Sequence, residues 1–554
     1  MMRLSILSTL LIKTCLASEP SLIQYDPDAS ERQQETDAVA ASIQNELRTH
    51  TTYGQTFELN HGPVPYPESL AESMIIQETL LFQSNANPDL GLIYGIAESF
   101  NITTVDDYDA MYAALEPVIP IPLTRDFSDE AFARDRLTLK GSRLRAVSWY
   151  ERLDRRLRAS PAYSVCGIRH VGKLKRWNRL FVEDLSFVGE YNDPAAPSKY
   201  APSAKGYFCL ARRTGKFMPL AIHLLDTDII YYPSDSEDDW ALAKMALNAA
   251  SINVQQMDHF IETHLMLEPI RVELLRSVSD KHPVYKLLEH HFTQLFGNTP
   301  AGLIGLLSEG TTYDKTWGWG ATGTLRFLQE KLPEASFAEG FDYRMNQAGL
   351  QYIPVYPYRD YGQMHWHALE KFLSSYLEPY YSSNLDLELD TELQSWASAT
   401  CSVVKDFPCH FDCADDVVHT LTSLVFRVTV QHHVMNSDGT HHSISFPFSL
   451  PSLNHPLPAS KGAEIDFMDY VVPRSELGNL LTLTAFFVRR IGPEVAILGT
   501  SYDNVDLGSL SLPAVEDHQK ILALIEDEID YREAHESHPF ILMKPSRLPY
   551  YVWA

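Results

Sequence analysis

The strongest pattern in the chain runs from Trp240 to Pro269, where Ala, Leu, Met and Lys recur with no Gly and no interior Pro. That composition favours helix. Ser234 to Asp239 supplies capping side chains and negative charge at the positive end of the helix dipole, and Pro269 is expected to stop it. Apolar residues at helical spacing predict further helices over Ala38–Leu47, Leu70–Leu81, Val284–Phe296, Leu325–Leu332, His365–Leu377, Thr391–Val403, Asp415–Met435 and Val515–Ser537. Another, Asp126–Thr138, is capped by Ser128 or Asp129. Leu180–Val188 and Gly206–Leu225 read as strands, being aromatic and β-branched and bounded by Gly and Asp. No repeat of 20–50 residues is evident, and no Gly/Ser linker splits off a domain. The expected fold is mainly α: one large helical domain over 121–554 with a small β element, and a polar arm over 18–120 packed against it.

Composition narrows the function. The chain has 554 residues, 45% apolar and 21% charged, as a globular protein with a large core should. Its 45 basic against 72 acidic residues give a net charge of −27, which argues against nucleic acid and against electrostatic docking on anionic membranes. Residues 1–17 read as a signal peptide: Arg3, an apolar run from Leu4 to Ile12, and a small-residue exit at Ala17. That run is too short to span a bilayer, and no later segment approaches the required length. Secretion is the expectation, and Asn101-Ile102-Thr103 adds a glycosylation acceptor. Five cysteines follow the leader, so at least one thiol is unpaired within the chain. Cys401 can pair locally with Cys409 or Cys413.

The common catalytic motifs are missing: no G-x-S-x-G elbow, no H-E-x-x-H helix, no phosphate-binding loop and no G-x-G-x-x-G. Gly318 and Gly320 fit a turn. Attention therefore falls on histidines. His259 and His264, five apart, diverge by about 140° on a regular α-helix but nearly eclipse on a π-turn, a form found mostly at functional sites. Taken alone, the pair reads more simply as two core histidines, each with its own hydrogen bond. The second long helix changes the balance. Its core stripe Leu421, Val425, Val428 continues to His432 and then Asn436, an imidazole and a carboxamide one turn apart. His433 falls about 100° off that stripe, and His441 and His442 are expected in a turn beyond the helix. Two histidines from one helix with His432 and Asn436 from another make a nitrogen and oxygen donor set without thiolate, which suits iron or manganese better than structural zinc.

Around these residues the chain resembles the lipoxygenase family, most of all its secreted fungal, manganese-type branch. The resemblance rests on Trp240-x-x-Ala243-Lys244, His259-x-x-x-Thr263-His264-x-x-x-Glu268-Pro269 and His282-Pro283-x-x-x-Leu287-Leu288-x-x-His291. It continues in Asp390-Thr391-Glu392-Leu393-Gln394-x-Trp396 and Phe426-Arg427-Val428-Thr429-x-x-His432-x-x-x-Asn436. It implies metal ligation by His259, His264, His432, Asn436 and the terminal carboxylate of Ala554. Gln255 would tune the site from outside, and Ser308 would govern where O2 attacks. One manganese or iron ion, with manganese slightly favoured, and no organic cofactor would be bound. The reaction implied is insertion of O2 into linoleate- or linolenate-type fatty acids, giving hydroperoxides after hydrogen abstraction by a metal(III)-hydroxide. The partners would be the fatty acid and O2, with the protein acting as a monomer. Several positions depart from the family. Ala554 stands where Ile or Val is usual, Thr138-Leu139-Lys140-Gly141 replaces Gly-Val-Asn-Pro, Gly439 replaces a glutamine, and the amino-terminal β-barrel is missing. They keep a second reading open, a lipoxygenase-fold protein that binds fatty acid or metal with little turnover. Arg489 and Arg490 fit either a fatty-acid carboxylate or ordinary ion pairs.

Overall fold

A computed structural model describes residues 19–42, 49–52, 55–58, 89–118, 126–138, 142–158, 162–300, 302, 306–443, 447–487, 491–492, 495–500, 502, 505–537 and 539–553. The expected signal segment, the helix at 70–81, residues 139–141, Arg489, Arg490 and Ala554 lie outside these.

The central helix, Glu237–Phe260, starts at Ser236, whose hydroxyl accepts from the Asp239 N–H, with Glu237, Asp238 and Asp239 in its first turn. From Leu242 onward every residue of it is buried. It therefore runs through the core rather than along it, consistent with having no polar face. Pro269 does not stop it. A π-turn over Ile261–Leu265 leads into a further α-helix, Leu267–Ser277. Pro269 sits in the first turn of that helix, where its missing N–H costs little. The second long helix is also interrupted, running Ala414–Phe426, a π-turn at Arg427–Gln431, then His432–Ser443. It extends past Met435, so His441 and His442 lie in helix rather than in a turn.

Two strands, β1 (Thr49–Thr52) and β2 (Gln55–Glu58), form a hairpin. Five more form an antiparallel sheet in chain order: β3 (Leu144–Ala146), β4 (Leu180–Leu185), β5 (Ala204–Leu210), β6 (Phe217–Leu224) and β7 (Ile229–Tyr231). Alternation along β4 and β5 divides the apolar side chains between two cores. Phe181, Phe208 and Leu210 join the main core, while Leu180, Val182 and Cys209 join a smaller outer one with Val147, Leu153, Val171 and Leu174. Gly206 permits the contact between sheet and central helix, because a Cβ there would stand 2.4 Å from Leu247. A buried polar knot fastens the same contact: Arg136 bonds Glu183 at 3.1 Å and Asn248 at 2.8 Å, and Ser251 bonds Glu183 at 2.7 Å.

Around the central helix, Pro357–Leu377 packs on Ala414–Phe426 and Leu512–Glu533, and Leu267–Ser277 packs on Thr391–Cys401. The amino-terminal helix, Ala29–Ser42, is fixed by Arg32, whose guanidinium meets Glu392 at 2.5 and 2.8 Å and Asp26 at 3.2 Å. Disulfides join Cys166 to Cys209 and Cys401 to Cys409, leaving Cys413 free. Among the described residues no helix is long and apolar enough to cross a membrane.

Candidate metal centre

The two π-turns face each other. His259 lies in the last turn of the α-helix that leads into the first, His264 lies near the end of that π-turn, and His432 follows directly on the second. The three rings lie 4.8–5.0 Å apart centre to centre, and their candidate ligand nitrogens fall within 4.8 Å of one another. His264 Nε2 and His432 Nε2 are 3.0 Å apart. Imidazole nitrogens about 2.1 Å from one ion and at right angles around it would be separated by about 3 Å. Asn436, the fourth expected donor, is buried one turn beyond His432 and lines the same cavity as His259 and His264.

Burial sets the protonation state. It pushes His259 and His432 well below the ordinary histidine range, with further depression from neighbouring rings, and brings His264 down to about 3. All three are therefore neutral imidazoles near pH 7, the form that ligates a metal. His259 Nε2 and His264 Nδ1 are buried with no hydrogen-bond partner, a costly arrangement in protein alone. Neutral rings, bare buried nitrogen and the 3.0 Å separation together fit one transition-metal ion.

His433 corrects the sequence reading. It is buried at 6% exposure, with Nε2 2.9 Å from the Tyr551 carbonyl and Nδ1 3.3 Å from His432 Nδ1. Its Nε2–H donates to the carbonyl, so its bare Nδ1 accepts from His432 Nδ1–H. His432 Nε2 is thereby left with its lone pair facing the other histidines. A helical stripe could not show this, because the Tyr551 carbonyl that His433 meets lies far along the chain. The carboxy-terminal segment is held three times over: His291 bonds the Tyr550 carbonyl at 2.6 Å, His433 bonds that of Tyr551, and Asn298 donates to that of Val552 at 2.7 Å.

Gln255 is fully buried and donates to the Met435 carbonyl at 3.3 Å, and Gln256 reaches the Met435 and Asn436 carbonyls at 3.2 and 3.3 Å. Both couple the first histidine helix to the turn bearing Asn436. Gln256 had no sequence signal. Ser308 is buried beside Leu306 and Leu307, which line the cavity, but does not line it. Glu262, inside the first π-turn, is the cross-tie between the turns. Its carboxylate takes Arg344 at 2.6 Å on both oxygens and Gln431 Nε2 at 2.5 Å.

Two cavities flank the first π-turn. One, about 70 Å3, touches His259, His264 and Asn436, and its apolar wall includes Phe260, Leu306, Leu307, Trp317, Leu483 and Phe487. The other, about 590 Å3, lies against Asp258 and Glu262. No histidine lines the larger cavity, and Arg143 and Arg344 pair with its two buried acids.

Residues 210–470 match the Lipoxygenase family profile. A manganese lipoxygenase of Colletotrichum gloeosporioides is 26% identical over 400 residues, covering 67% of this chain and 65% of that protein. An allene oxide synthase-lipoxygenase protein of Plexaura homomalla is 27% identical over 379 residues, covering 63% of this chain and 34% of that one. The chain thus spans about one third to two thirds of these relatives' lengths. In overall fold it superimposes on the manganese lipoxygenase of Gaeumannomyces graminis with a TM-score of 0.84 at 21% identity, over 97% of this chain and 100% of the other. Coral 8R-lipoxygenase gives 0.80 at 22% identity, over 97% and 83%. Residues 210–470, which hold His259, His264 and His432, carry a lipoxygenase-family domain, and the chain as a whole has the lipoxygenase fold.

Proposed function

We propose that the protein is a secreted non-haem metal dioxygenase that adds O2 to linoleate- or linolenate-type fatty acids and releases the hydroperoxide. The reading is carried by one observation: three neutral, buried histidines converge, and two of them, His259 and His264, stand in the wall of a largely apolar cavity. A bound redox-active ion, manganese in the first instance, supplies the one-electron chemistry that starts such a reaction. His259, His264, His432 and Asn436 would hold it. His433 fixes the His432 tautomer, and Phe260, Leu306, Leu307 and Phe487 exclude water and align an apolar chain with the donor set. Relatives named manganese lipoxygenase support the choice of ion. The two disulfides and the exposed Asn101 support export.

The cavity volume favours a second reading. About 70 Å3 is far below the roughly 300–1,000 Å3 of ordinary ligand pockets, so side chains must move before a fatty chain can enter. A protein that binds metal or fatty acid without turning over would show the same closed cavity. Purified protein, analysed for metal and mixed with linoleate in air, separates the two. Conjugated-diene absorbance growing with time is expected, and metal-replete protein that gives none would overturn the dioxygenase.

A further inference from the structure

We infer that the outer side of the small sheet layer, around Trp149, Tyr150 and Trp177, docks on an anionic lipid surface. Trp149 is 78% exposed, Tyr150 72% and Trp177 50%. Large exposed rings clustered in this way mark an interaction surface. Their setting is basic in a chain that is acidic as a whole: residues 149–179 hold nine Lys or Arg against two carboxylates. Those carboxylates, Glu151 and Asp154, are already paired with Arg145 and Arg156. Arg152, Lys173 and Arg176 are exposed and outside any ion pair among the described residues.

The rings and the charges form one built surface. Lys175 Nζ bonds the Glu151 carbonyl at 2.6 Å, joining the turn that bears Trp149 and Tyr150 to the helix that ends at Trp177. Val147 and Leu153 on one side, with Val171 and Leu174 on the other, share the small outer core that the Cys166–Cys209 disulfide closes. Trp and Tyr seat their rings at the headgroup level of a bilayer, and neighbouring Lys and Arg gain from anionic lipid. The net charge of −27 does not cancel this attraction, because at physiological salt a charge is screened beyond about 8 Å. Partition onto a lipid surface would bring the protein to where fatty acids reside, although binding itself does not rest on the proposed activity.

The test uses the full chain and sedimentable vesicles, either phosphatidylcholine alone or three parts phosphatidylcholine to one of phosphatidylserine, in about 0.1 M salt. Binding to the anionic vesicles, with a blue shift of tryptophan fluorescence and loss on raising salt, is expected. The pair Lys173→Glu and Arg176→Glu should weaken it by roughly tenfold or more, and Trp149→Ser with Trp177→Ser should weaken it while leaving near-ultraviolet circular dichroism native in form. Failure to bind either vesicle, equal binding by the charge-reversed protein, or tighter binding to duplex DNA than to anionic vesicles would overturn the inference.

Discussion

The tie between the π-turns can be tested by Glu262→Gln. The amide keeps the shape of the side chain but removes its charge and one of the two oxygens that Arg344 grips at 2.6 Å. Burial pushes the Glu262 carboxyl up, yet Arg344 outweighs it and holds the group below its ordinary value, so the wild-type bridge is ionic near pH 7. A hydrogen bond to a charged group contributes about 1.5–3 kcal/mol. The substitution deletes one such bond and weakens two. Arg344, 35% exposed, recovers part of the loss from water, leaving an expected destabilisation of about 2–3 kcal/mol. Because the turns so joined carry the histidines, metal affinity should also fall, by roughly 10–100-fold as for other residues supporting ligands. Urea denaturation and metal titration measure the two effects. A double-mutant cycle with Arg344→Gln should recover a coupling of at least about 0.5 kcal/mol. Unchanged denaturation and unchanged affinity would refute the idea that this bridge sets the spacing of the histidines.

Acid should destabilise the fold through histidines that ligate nothing. Burial lowers His291 and His365 to about 4 and His518 to about 3. Their folded values lie below the unfolded 6.5, so their contribution is complete above pH 6.5 and is lost as pH falls towards 4. Between pH 6.5 and 5 each should remove about 1.5 kcal/mol. Urea midpoints at the two pH values measure this, and equal midpoints would contradict neutral burial. Cys166→Ser opens a loop spanning 43 residues, for which chain entropy gives about 4 kcal/mol. The outer core should loosen first, so limited proteolysis is expected to cut within 149–180 before the main core unfolds. Initial cleavage elsewhere would count against a separately fastened layer.

Much of the centre was legible because its constraints are local. The His259–His264 spacing demanded a π-turn, and Ile261–Leu265 is one. The Leu421 stripe pointed to His432 and Asn436, and the capping run put the central helix within a few residues of its start. What escaped depended on long-range contact. His433 looked misplaced because its role depends on the Tyr551 carbonyl, a partner that no helical stripe reveals. The pairing of Cys166 with Cys209 joins β5 to a segment 43 residues earlier. Pro269 looked like a stop because its place just past a π-turn was not visible in composition. The basic, aromatic outer layer was hidden by the total charge, which averages over a surface that the fold partitions.

Each π-turn is in effect a helix with one surplus residue, and this makes the centre sensitive to chain length as well as to side-chain identity. Deleting Ile261 would restore ordinary helix and leave His259 and the former His264 four apart, still on one face. The whole of Leu267–Ser277 would meanwhile turn by about 100°. The Ile270 carbonyl would leave Trp396, and Arg271 would leave Glu289. The surplus residue thus lets one continuous helix serve two partners whose directions differ: the candidate ion site on one stretch and the packed helices beyond it on the next.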